Sequence, residues 1–143
     1  MVRHDHPHRV MAMPARHFFH HVVVFASDFG ASEPFYTQAL GALGIELGHP
    51  SETGREYWVP DDDTPSFAVD TAETSADVTR GVHVAFEAVD RSAVDAFYEA
   101  AIAAGGTSRH EPRHWPEYRA YCAFVSDPDG NNIEALVKDD AAS

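Results

Sequence analysis

HVVVFASDFGASEPFYTQALGALG, residues His21 to Gly44, returns without a gap as HVAFEAVDRSAVDAFYEAAIAAGG, residues His83 to Gly106. His21 pairs with His83, Val22 with Val84, Asp28 with Asp90, Phe35-Tyr36 with Phe97-Tyr98, and Leu40 with Ile102. A repeat of this length means that one chain carries two copies of a supersecondary unit. Each copy opens with a histidine at the same place on its first strand. Packing about a pseudo-twofold axis would bring the two histidines to facing positions, where one nearby carboxylate would complete a metal site.

Outward from the repeat, the apolar run Val22–Phe25 sits at the centre of a predicted strand over Phe18–Ala26. Ser27 and Asp28 offer helix-capping oxygens. The helix that follows should reach about Leu43, with Phe35, Tyr36, Ala39 and Leu40 on one face and Gly44 closing it. Pro34 calls for a late start, because proline fits only the first turn. Short strands are expected around Ile45–Gly48, Arg55–Val59 and Ser66–Asp70, with Pro60–Pro65 as a turn. Polar Thr71–Gly81 reads as a linker between modules at 17–70 and 82–138.

The second module should place a strand over Val82–Val89 and a helix capped by Asp90. Val94, Phe97, Tyr98, Ala101 and Ile102 form that helix's apolar stripe, and Gly105-Gly106 stops it. Strands follow around Thr107–Glu111, Arg119–Ser126 and Asn131–Val137, the last two joined at Asp127-Pro128-Asp129-Gly130, a strong hairpin signal. The fold class is therefore α+β, with each module β-α-β-β-β.

The 143 residues, 44% hydrophobic and 23% charged, suit a soluble globular chain with one sizeable core, here residues 17–140 as a single domain. Residues Met1 to Arg16 mix His, Arg and Pro without apolar period and read as a disordered tail. A net charge of −13 argues against nucleic acid as a partner and suits a cationic ligand. No run is apolar enough to cross a bilayer, and no charged-then-apolar leader is visible, so no membrane partner is expected. Cys122 is the sole cysteine and cannot form an internal disulfide, so the expected location is cytoplasmic.

Residues 18 to 138 resemble the vicinal oxygen chelate superfamily, which includes glyoxalase I, extradiol dioxygenases, fosfomycin thiol transferases and bleomycin-resistance proteins. The resemblance rests on the repeat, on the first-strand histidines, on the Phe-Tyr pairs, and above all on the closing run FVSDPDGNNIEAL, Phe124 to Leu136. It implies two modules forming a half-open barrel around one divalent ion, held by residues of the first and last strands. Carried over residue by residue, the ligands are His21, His83 and Glu134. Alternation supports the glutamate, because it points Glu134 away from Ile133 and Ala135, and a carboxylate facing a barrel interior needs a partner. Two histidines and a carboxylate suit Fe, Mn, Ni, Co or Zn and leave coordination positions open for two substrate oxygens.

Glyoxalase I has a fourth ligand, an acid on the last strand of its first module. Here repeat matching admits either Ala68 or Asp70, depending on where a gap falls. Arg113, His114, Tyr118, Arg119 and Tyr121 cluster before the hairpin, in a region that lines the cup in the family. Arg119 and Tyr121 are taken as catalytic groups holding an anionic substrate oxygen, with loop surface as the competing reading. Cys122 is expected to be buried and inert, Asp28 and Asp90 to be caps, and Asp127, Asp129 and Gly130 to make the turn.

The resemblance implies a metal-dependent enzyme acting on a small molecule: a lyase, a dioxygenase or a thiol transferase. The alternative is a metal-free, bleomycin-resistance-like drug-binding protein. The linker permits a barrel within one chain or across a homodimer.

Overall fold

The computed structural model describes residues 16–140, so the expected tail, Arg16 apart, lies outside the described residues. The first module contains β1 (His21–Ala26), α1 (Phe29–Gly41), β2 (Glu46–Pro50), β3 (Gly54–Val59) and β4 (Asp62–Thr71). A single 3-10 turn (Ser75–Asp77) precedes the second. That module contains β5 (His83–Glu87), α2 (Arg91–Ala103), β6 (Thr107–Trp115), β7 (Ala120–Ser126) and β8 (Asn132–Lys138). The sheet orders are β1-β4-β3-β2 and β5-β8-β7-β6. In each, the first strand lies parallel to the last and the remaining pairs are antiparallel. Neither sheet closes on itself, which gives the half-open βαβββ architecture expected from the sequence.

Period-two alternation gives each sheet one apolar face, and both helices are laid against those faces. Val24, Phe67 and Val69 of the first sheet and Val125, Ile133 and Ala135 of the second belong to one core. Phe35, Tyr36 and Leu40 from α1 and Val94, Phe97 and Ala101 from α2 fill it. The helices pack on each other, and the Phe67 and Phe86 rings meet edge to face at 5.2 Å. Both helices therefore pack on the core faces of the sheets while keeping one exposed stripe each, and each sheet keeps a helix-free face.

Several local expectations need correction. Helix α1 begins at Phe29 and carries Pro34 inside it rather than in its first turn. The missing N–H and the ring's crowding of the preceding turn are tolerated because Phe35, Tyr36, Ala39 and Leu40 are buried immediately beyond. Asp28 stands at the N-cap without a side-chain cap bond, whereas Asp90 accepts from the Ala93 N–H at 2.9 Å. The turn expected over Pro60–Pro65 contracts to Pro60-Asp61, with Val59 paired to Asp62 and Asp61 at a φ of 66°. Strand β6 continues past Glu111 through Pro112 to Trp115, which an edge strand permits because no ladder bond is lost on its outer side.

Candidate metal centre

Side-chain direction follows from register. In the first sheet Val22 faces Phe67 and Val24 faces Val69, all on the core side. The intervening His21, Val23, Phe25, Ser66, Ala68 and Asp70 therefore share the helix-free face. In the second sheet Val84 faces Ile133 and Phe86 faces Ala135 toward the core. His83 and Glu134 stand on the helix-free face, joined across the sheet by Phe124 and Cys122.

His83 and Glu134 meet: Nε2 lies 2.7 Å from Oε1. The carboxylate is only 6% exposed, so burial makes this contact its necessary compensation. The pair borders an open cleft of about 300 Å³ whose other walls are Tyr118, Ala120, Cys122, Phe124, Leu136 and Lys138. Behind Phe124 stand the rings of His110 and Trp115, each about 5.5 Å from it. Lys138 brings a cationic side chain to the lining, and its ammonium donates to the Tyr118 carbonyl at 2.5 Å. Burial, and then the Glu134 carboxylate beside it, push the Cys122 thiol up to about 12. It therefore stays protonated and unreactive at neutral pH, as expected, yet it forms part of the cleft wall.

His21 does not join this pair. Its Nδ1 lies 3.0 Å from that of His20, on the helix-free face of the other sheet. Among the described residues no three His, Cys, Asp or Glu side chains converge to hold a metal ion. Each of the two histidines stands instead on the helix-free face of its own sheet.

Tyr121 also lies elsewhere. It pairs with Val137 on the core side of β7, its hydroxyl donates to Asp95 of α2 at 2.7 Å, and Arg91 covers its ring at 4.9 Å. The side chain expected to be catalytic thus braces a helix. Arg119 is exposed in the β6–β7 hairpin with a φ of 53°. His114 is held by Asp139 at 3.1 Å, and Arg113 stacks on the Trp115 ring. The open choice between Ala68 and Asp70 is decided by pairing. Val23 faces Ala68 as Ala85 faces Glu134, so Ala68 is the counterpart of Glu134 and Asp70 that of Leu136.

The hairpin before Glu134 does more than turn. Asp127 is buried and accepts from the Tyr36 hydroxyl, at 2.5 Å, and from the Asn131 side chain and backbone. Asn131 also bonds Val82 N–H and the Thr79 carbonyl, and Asp129 accepts from Ser27. Burial, with Asp127 next in effect, pushes the Tyr36 phenol far above its ordinary range. These bonds clamp the strand carrying Glu134 to the first module.

The fold and its repeated β-α-β-β-β unit coincide with a known family: the model of the Glyoxalase/Bleomycin resistance protein/Dioxygenase superfamily matches residues 18–135. The chain belongs to this superfamily. Among its solved members, a glyoxalase/bleomycin resistance protein of Albidiferax ferrireducens T118 is 35% identical. That match spans 85% of this chain and 99% of that one, with a TM-score of 0.73. A glyoxalase/bleomycin resistance protein/dioxygenase from Nocardioides is 22% identical over 96% and 94% of the two chains, with a TM-score of 0.60. A lactoylglutathione lyase of Agrobacterium tumefaciens, 19% identical over 87% and 95% with a TM-score of 0.62, shares the fold. No curated protein matches. The superfamily's divalent ion would find compatible donors here, since a histidine nitrogen and a buried carboxylate already meet at His83 and Glu134.

Proposed function

We propose that this protein is a divalent-metal-dependent enzyme acting on a small molecule, with its centre built between two copies of the chain. His21 of one copy would face His83 and Glu134 of the other. The carrying observation is the placement of the donors: His83 and Glu134 are 2.7 Å apart beside an open cleft, while His21 sits on the helix-free face of the other sheet. Bringing the helix-free face of one sheet onto that of the other by a twofold axis would create two equivalent centres per dimer.

An ion held there would bind two substrate oxygens and stabilise negative charge developing on them. The chain's own groups would do the rest. Phe124, Leu136 and Cys122 offer an apolar bed that excludes water from the reacting oxygens. Lys138 offers a positive charge to an anionic end of the substrate four residues along the strand from Glu134. The neutral Cys122 thiol can donate to the Glu134 carboxylate and hold it in place.

Mixing variants tests the arrangement. Alone, His21→Ala and Glu134→Ala should each lose stoichiometric metal and activity. Refolded together in equal amounts, they should regain about a quarter of the wild-type sites, because each mixed dimer holds one intact centre. Recovery of nothing, from variants that fold, would sink the shared centre. Absence of metal in reconstituted wild-type protein would point instead to metal-free drug binding, which the −13 charge suits.

A further inference from the structure

The two modules differ at one position that the proposed centre requires. Where the second module presents Glu134, the first presents Ala68. On the next strand the difference is reversed: Phe124 pairs with Glu134, whereas Glu56 pairs with Ala68. Carboxylate and apolar side chain have changed places between neighbouring strands. We infer that Glu56 supplies, from β3, the second carboxylate of the metal centre. This inference rests on the proposed reading of the site.

Directly opposed residues of an antiparallel pair share a face, with Cβ atoms about 5 Å apart. The face is fixed by the next pair along, Gly54 and Asp70. A Cβ built on Gly54 would lie 2.9 Å from the Asp70 Oδ1, so Asp70 leans across the sheet over a residue without a side chain. Its carboxylate also accepts from the Thr71 N–H at 2.8 Å, which occupies the other acid that the sequence left open. Glu56 lies beside Ala68, whose methyl leaves room above it for a longer neighbour. His21 stands to Ala68 as His83 stands to Glu134, the relation that closes to 2.7 Å in the second module.

The Glu56 side chain is half-buried and makes no hydrogen bond or ion pair among the described residues. A carboxylate partly withdrawn from water with no compensating donor favours a cation nearby. Arg55, its neighbour, points to the opposite face and lies 3.6 Å from Glu33 of α1. The competing view is an ordinary surface glutamate, which predicts no effect on metal.

Cobalt(II) titration of the full chain, followed by its visible absorption, separates the possibilities. Wild type should bind one ion per chain. Glu56→Gln should bind 10- to 100-fold more weakly, with an altered spectrum, while remaining folded by circular dichroism. Adding Ala68→Glu to Glu56→Gln should restore affinity by returning the carboxylate to β4. If Glu56→Gln binds as wild type while Glu134→Ala loses the ion, this inference alone is overturned. If wild type binds no cobalt, the metal reading and this inference both fall.

Discussion

The β3–β4 hairpin turns in two exposed residues, Pro60 and Asp61, and touches little beyond its own strands. Its counterpart between β7 and β8 spends a buried aspartate and a buried asparagine on six hydrogen bonds, one of them from Tyr36 of the first module, while Asp129 beside them accepts two more from Ser27. Topology and register are common to both modules; the joint between them is carried by one. A duplicated unit can thus keep its backbone plan while its turns take separate tasks. The same division runs through the proposed centre, where one module keeps the His-Glu pair and the other has its histidine beside an alanine.

The comparison is sharpest in the core. Phe35 and Phe97 are repeat counterparts and both are fully buried. Replacing either by alanine should cost about 3–5 kcal/mol, in a single urea transition followed by fluorescence and circular dichroism. Two separate transitions would mean that the modules do not share one core. Helix continuity comes next. Pro34 has Ala96 as its counterpart, so Ala96→Pro should cost about 3 kcal/mol, while Pro34→Ala should raise the midpoint of unfolding.

Asp127→Ala should cost about 2 kcal/mol, because the Tyr36 hydroxyl and the Asn131 amide lose their acceptor inside the protein. The same change at Asp61 should be nearly silent. The smallest contrast lies at the caps. Asp90→Ala should lower the unfolding midpoint and Asp28→Ala should not. The Ala93 N–H, then the Ser92 hydroxyl, hold the Asp90 carboxyl below its ordinary 3.8. With its folded pKa lowered, its contribution is present above that pH and fades as pH falls through the lowered value. The difference between wild type and Asp90→Ala should therefore vanish in acid; a difference that persists there would refute the cap.

Much of this was legible in the residues. The gapless match of His21–Gly44 with His83–Gly106 carries the order of elements, and the run ending at Leu136 carries the superfamily. The position of Tyr121 was also within reach. The hairpin pairs Ser126 with Asn132, so counting back sets Cys122 and Phe124, not Tyr121, on the face of Glu134. The counterpart of Glu134 could not be read off, because the first module's turn is shorter and matching needs a gap. Nor could periodicity say which way the two sheets look. Alternation tells inside from outside on each strand, but it does not foresee the contacts that join the modules, such as Phe35 against Gly106 and Tyr36 on Asp127.

Gly44 and Gly106 match in the repeat, yet they serve different needs. Gly44 turns with a φ of 82° in open space, whereas a Cβ on Gly106 would lie 2.7 Å from the Phe35 ring. The gap at Gly106 is a keyhole in the second half, shaped to admit a residue of the first. Both halves carry the same key and the same keyhole, Phe35 with Gly44 and Phe97 with Gly106, yet no atom lies within 4 Å of a Cβ built on Gly44. Two identical pairs thus serve unlike ends: one glycine admits a ring, and its twin only lets the chain turn.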